Sequence, residues 1–205
     1  MHIIKTNLIL MMMTITISAA NLTDFGDFIG KNGNTIAYSN KNDTHVSNEP
    51  HFITVHGETL CSGMKWQCVE YARRWLMENK DIFFGDVEYA TDIWSLSHGI
   101  HLSNNKQQIA AMRFLNGLSV EKPEVGDLLI YDTSYAPITG HVSVIVEVGE
   151  NTIKVAEQNY SSHKWAAPNY SQELGIIAKK KHENDTIHYS INNSGVIGWI
   201  RFHKL

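Results

Sequence analysis

The sequence predicts an α+β fold, one helix ahead of a meandering antiparallel sheet, and a change of hydrophobic period along the chain carries that prediction. Over Cys68–Lys80, Cys68, Ala72 and Leu76 fall at i, i+4 and i+8, and Val69 and Trp75 flank the stripe. Glu70, Arg73, Arg74 and Glu78 are then expected on the solvent face. Further on the period drops to two. Asp127-Leu128-Leu129-Ile130-Tyr131 reads as a short buried strand, and His141–Val148 alternates with four valines on one face. Gly149-Glu150-Asn151 turns the chain into Thr152–Glu157, an antiparallel partner, and Gly198–Phe202 supplies a closing strand. A helix followed by hairpin-linked strands is the α+β pattern.

The other segments are less regular. Asn21 to Pro50 is rich in Gly, Asn, Asp and Ser with scattered Phe25, Phe28, Ile29, Ile36 and Tyr38, so it predicts loops and short extended pieces that wrap the domain. A mixed segment containing Trp94 follows the helix, and Lys106–Leu115 reads as a second helix. At the front, His2 and Lys5 precede an apolar run over Leu8–Ile17 and then Ser18-Ala19-Ala20, the pattern of a secretory signal peptide over residues 1–20. The run is shorter than the roughly 20 apolar residues of a spanning helix, so no stable membrane insertion is expected after signal cleavage. The expected product is a secreted protein or one of the secretory compartment, with residues 21–205 as one domain. In a eukaryotic secretory pathway the sequons at Asn42, Asn159, Asn169, Asn184 and Asn192 would be glycan acceptors.

Composition narrows the function classes. The chain of 205 residues is 43% hydrophobic and 19% charged, enough for one good core. A net charge of -4 and a pI of about 6.2, without a basic stripe, argue against a nucleic-acid partner. Histidines are plentiful, yet pairs such as His98 and His101 follow no ligand spacing, and neither metal nor cofactor is expected.

The chemistry concentrates at the helix start. Cys68 lies in the first turn, where unpaired backbone N–H groups and the positive end of the helix dipole favour thiolate over thiol. A cysteine nucleophile needs a base, and the base needs an orienter. The hairpin offers both. His141 shares a face with Ser143, Ile145 and Glu147, while Ile153, Val155, Glu157 and Asn159 share one face of the returning strand. If paired residue numbers sum to 298, His141 faces Glu157; if they sum to 300, it faces Asn159; an odd sum would turn the returning side chains to the opposite face. The Cys68 N–H, with Gln67 as the candidate second donor, would stabilise an oxyanion. A competing reading joins Cys61 and Cys68 in a disulfide, which would silence the thiol and leave a secreted, non-catalytic binding module.

Three blocks, Lys65-Trp66-Gln67-Cys68-Val69-Glu70-Tyr71-Ala72-Arg73-Arg74, Thr139-Gly140-His141-Val142-Ser143 and Ala156-Glu157-Gln158-Asn159, resemble the signature of CHAP-type cysteine amidases. They are most like the amidase domains of glutathionylspermidine synthetase/amidase and trypanothione synthetase. Phe25-Gly26, Asp127-Leu128-Leu129-Ile130 and Gly198-Trp199 fit the same pattern, so the similarity runs from about Phe25 through Trp199. The resemblance implies a papain-like fold, the helix with the nucleophile packed on an antiparallel sheet. It also implies Cys68 as nucleophile, His141 as base, Glu157 as orienter and Asn159 beside them. At the Arg73 position it implies a guanidinium that helps hold the glutathione-like part of a substrate. The expected activity is hydrolysis of amide bonds in a peptide-like substrate, either peptidoglycan stem peptides or related γ-glutamyl amides, with a free-standing glutathionylspermidine amidase as the alternative.

Overall fold

The computed structural model describes residues 23–42, 44–103, 105–161, 163–180 and 185–203. The expected signal peptide at 1–20 and the sequon at Asn184 lie outside them. Two small hairpins come first, β1 (Phe28–Asn32) with β2 (Thr35–Tyr38) and β3 (Pro50–Val55) with β4 (Glu58–Met64). Helix α1 then spans Cys68–Lys80, and Asp81 ends it in the left-handed conformation, φ 62°, its N–H returned to the Leu76 carbonyl.

The later strands are β5 (Ile82–Phe83), β6 (His98–His101), β7 (Gln108–Leu115), β8 (Leu128–Tyr131), β9 (His141–Val148), β10 (Thr152–Ala156), β11 (Gln172–Lys180), β12 (Ile187–Ile191) and β13 (Val196–His203). Among the described residues they form one antiparallel sheet in the order β12-β11-β10-β9-β8-β13-β7-β6-β5. A short 3-10 helix, Ala90–Ser95, packs against β8 and β9.

The alternation of β8 explains how the layers are glued. Leu128 and Ile130 join Tyr71, Ala72 and Leu76 of α1, with Val142, Val144 and Ile200, in a core between helix and sheet. Leu129 and Tyr131 point the other way, into a second core with Ile145, Ile153, Val155, Ile176, Ile191 and Trp199. That second face is dry because β12 touches β13 and Tyr189 bridges to Ser119, which curls the sheet over it. A strand buried on both faces has no polar alternation to show.

Two expectations are corrected. Lys106–Leu115 is not a helix: Gln108–Leu115 is strand β7, hydrogen-bonded to β6 and to β13. Its Gln, Ala, Met and Leu content favours helix in isolation, but pairing on both sides overrides propensity, and Ile109, Ala111 and Phe114 supply inward side chains. Glu70, Arg73 and Arg74 are not on a solvent face either; all three are buried. The hairpins β1–β2 and β3–β4 pack against the outer side of α1, so this helix has no bare flank in its first two turns. The wrapping expected of the Asn21–Pro50 segment is part of the cause, and β3–β4, which lies almost wholly beyond that segment, supplies the rest.

Candidate active site

Cys68 is the first residue of α1, and His141 is the first residue of β9. They are brought together because α1 lies across β9 in the helix-side core. Gly140 makes the approach to His141 possible. Its φ is +61°, and a Cβ there would sit 2.5 Å from both the Tyr131 carbonyl oxygen and Thr91 Cγ2. Only glycine tolerates that backbone and that proximity together.

The hairpin register is neither of the simple alternatives. Next to the turn, Ile153 pairs with Val148 and Lys154 with Glu147, an odd sum of 301. A bulge that leaves Val146 unmatched then moves the ladder to Val155 with Ile145 and Ala156 with Val144, a sum of 300. The ladder stops there, one residue before Glu157. Past its end, His141 Nε2 lies 2.7 Å from Glu157 Oε2, and both side chains are buried. The other carboxylate oxygen of Glu157 accepts from Ser171 Oγ and Gln172 Nε2, each at 2.7 Å. These fix the carboxylate, and the carboxylate fixes the ring.

With Nε2 committed to Glu157, the other ring nitrogen is left for the hydrogen bond between His141 and Cys68. Burial alone would push the Cys68 thiol up. The charge of His141, its hydrogen bond, and the N–H groups of Val142 and Val69 outweigh burial and hold the thiol below its ordinary value. For His141, burial opposes the proton, but the Cys68 charge and hydrogen bond, followed by those of Glu157, raise it from 6.5 to about 10. The two groups titrate as a pair, in which each charge favours the other: the imidazolium favours the thiolate, and the thiolate the imidazolium. Tyr131, Tyr135 and Tyr160 wall the ring, with centroids 5.5, 5.9 and 6.0 Å from it.

The remaining expected residues are placed differently. Asn159, in the left-handed region at φ 59°, turns away from the ladder and donates to Gln67 Oε1 at 2.8 Å while accepting from Asn40. Gln67 Nε2 donates to Asn40 Oδ1 and the His45 carbonyl at 3.2 and 3.3 Å, so its side-chain donors are already engaged. Arg73 is not brought to the Cys68 group. It is buried and donates to the carbonyls of Phe84, Ser62 and Gly85 at 2.8–3.0 Å, which is the work of a structural clamp. Cys61, on β4 opposite Phe52, and Cys68 are both free thiols, not a disulfide.

Sequence reasoning missed Ser171 and Gln172, whose contact with Glu157 depends on the β10–β11 pairing of Val155 with Gln172. It also missed Gln158, buried between two anticipated residues. A polar residue that alternates out of step with Glu157 and Asn159 was the available signal.

Residues 60–159, a span holding Cys68, His141 and Glu157, match the CHAP domain family. The chain carries a CHAP domain. Over 175 residues, 83% of this chain, it is 37% identical to trypanothione synthetase of Crithidia fasciculata. Over 142 residues, 67% of this chain, it is 34% identical to the bifunctional glutathionylspermidine synthetase/amidase of Escherichia coli (strain K12). The aligned stretches cover 25% and 22% of those proteins, so the chain spans about a quarter of the relatives it matches. Together the CHAP match and the likeness to a synthetase/amidase support a cysteine amidase or peptidase. No helix among the described residues is long and apolar enough to cross a membrane.

Proposed function

We propose that this CHAP domain hydrolyses amide bonds through a thioester on Cys68. The observation that carries the reading is the continuous buried array from Cys68 through His141 to Glu157, in which His141 holds the thiol below its ordinary value. The Cys68 thiolate attacks the amide carbonyl, and the carbonyl π pair moves onto oxygen. The Cys68 N–H, at a helix start where no intrahelical acceptor exists, is aimed at that oxyanion. As the tetrahedral intermediate collapses, the C–N bond breaks and the His141 imidazolium gives its proton to the departing amine. Neutral His141 then takes a proton from water, whose oxygen attacks the thioester and expels the thiolate. Glu157 holds the ring and stabilises the imidazolium in both halves of the cycle.

The substrate reading has two branches. Peptidoglycan stem peptides fit a secreted enzyme, which is what the first twenty residues suggested. Glutathionylspermidine is the second branch, favoured by the name of the Escherichia coli relative, a glutathionylspermidine synthetase/amidase. Both offer γ-glutamyl peptide character to one cleft. The deciding experiment incubates the reduced protein with purified peptidoglycan and, separately, with glutathionylspermidine, following new amino groups against a Cys68→Ala control. Release from the wall polymer alone supports the secreted reading, and release from the conjugate alone supports the second. Release that persists in Cys68→Ala would overturn the thioester mechanism.

A further inference from the structure

Between the glutamate that orients His141 and the asparagine that bonds Gln67 lies a side chain with no part in the chemistry above. Gln158 is 1% exposed, and every polar hydrogen and acceptor it brings into the interior is used. Its Nε2 donates to the Gln67 carbonyl at 3.1 Å and to Glu70 Oε2 at 2.7 Å, and its Oε1 accepts the Tyr38 N–H at 3.0 Å. One carboxamide therefore ties together the residue before Cys68, the residue two after it, the β2 hairpin, and the backbone next to Glu157. Glu70 is a firm anchor, since it is also held by Arg74, His51 and Ser62.

Cys68 and His141 arrive on different elements, and their own hydrogen bond is the contact that catalysis must make and break. Something else has to fix their separation while the thiolate is in use. We infer that Gln158 is a positioning residue that locks the start of α1 to the Glu157 arm and so sets the distance and angle between Cys68 and His141. The inference rests on the reading of those two residues as nucleophile and base. Gln158 touches neither of them; it acts through the Gln67 and Glu70 ends of the helix turn that carries Cys68.

The test compares Gln158→Met, which keeps length and loses all three bonds, with Gln158→Asn, which keeps the amide but falls short. Ile191→Val, in the second core, serves as a control for plain loss of stability. Two readouts are taken well below each melting temperature: turnover of whichever substrate the wild type cleaves, and the pH dependence of iodoacetamide alkylation at Cys68, followed by peptide mapping. A positioning role predicts kcat lower by about 10- to 100-fold in Gln158→Met with KM within about twofold, the scale of a slight misplacement of reacting groups. It also predicts an upward move in the pH at which Cys68 becomes reactive. Ile191→Val should move neither. An unchanged alkylation profile and kcat in both folded Gln158 variants would overturn the inference, as would losses equal to those of Ile191→Val. The alkylation profile needs no substrate, so a wild type without Cys68-dependent turnover would refute the hydrolase reading while the profile still decides the role of Gln158.

Discussion

Glu70→Gln removes a charge that the fold has surrounded. The carboxylate is fully buried and accepts Arg74 Nε at 2.7 Å and Nη2 at 3.1 Å, His51 Nδ1 at 2.8 Å, Ser62 Oγ at 2.8 Å and Gln158 Nε2 at 2.7 Å. Burial opposes its ionisation, but the His51 hydrogen bond, the Arg74 charge and hydrogen bond, and Ser62 bring it from 4.5 down to about 2. At about 1.4 kcal/mol for each tenfold change in proton affinity, that depression corresponds to about 3 kcal/mol of folding free energy at neutral pH. The sign follows from the direction: the contribution is complete above pH 4.5 and disappears as pH falls toward 2. In the glutamine variant the amide must turn donors toward other donors, and Arg74 is left as a buried cation with a neutral partner, a loss of about 3–5 kcal/mol. Urea unfolding at a series of pH values between 7 and 2.5 measures this. The wild type should lose stability over that interval by about 2.5 kcal/mol more than Glu70→Gln does, the remainder going below pH 2.5. Parallel curves for the two proteins would refute the reasoning, because the carboxylate would then titrate alike folded and unfolded.

Other outcomes follow from the same geometry. Cys68-dependent turnover should rise as pH passes the lowered value of the thiol and fall near pH 10 as His141 loses its proton, which a pH profile of kcat/KM checks. Glu157→Gln should lower kcat by about 10²-fold and bring the alkaline limb to lower pH, since the charge and hydrogen bond that favour the imidazolium are weakened; Cys68→Ala should abolish turnover with the melting temperature nearly unchanged. Gly140→Ala should cost about 1–3 kcal/mol, because the residue sits at φ +61° with Tyr131 and Thr91 against the new methyl, and kcat should fall with it as His141 shifts. Expression through a eukaryotic secretory pathway should place glycans on the exposed Asn42, Asn169 and Asn192 and leave Asn159 bare in the active fraction, because the Asn159 amide is shared between Gln67 and Asn40; glycopeptide mapping of active protein decides it.

Where the sequence was legible, local chemistry restricted the choices. A stripe at helical spacing placed α1 and set Cys68 in its first turn, and alternation placed β9 and β10 as a hairpin. What lay between those facts and the His141–Glu157 contact was register, and no residue announces the bulge at Val146. Without it the odd pairing near the turn would have continued and turned Glu157 away from His141. The contact anticipated from even sums therefore forms by a route that the even sums did not describe.

The buried charges of α1 were illegible for a different reason. A helix with one apolar stripe looks half-exposed whenever the chain that covers its polar flank comes from elsewhere, here from residues 28 to 64. Yet the charges themselves form a complementary set. Glu70 and Arg74 are four apart on one helix, and each finds further partners in a wrapping segment: His51 and Ser62 for the carboxylate, which Gln158 also meets, and the Ile36 carbonyl for the guanidinium. Arg73 does the same with Ser62, and adds the carbonyls of Phe84 and Gly85 from the chain just after the helix. An isolated helix would gain only about 0.3–0.5 kcal/mol from the Glu70–Arg74 pair. Buried and saturated, the same residues bind the N-terminal hairpins to the turn that presents Cys68, so wrapping the helix and steadying the thiol are one structural act.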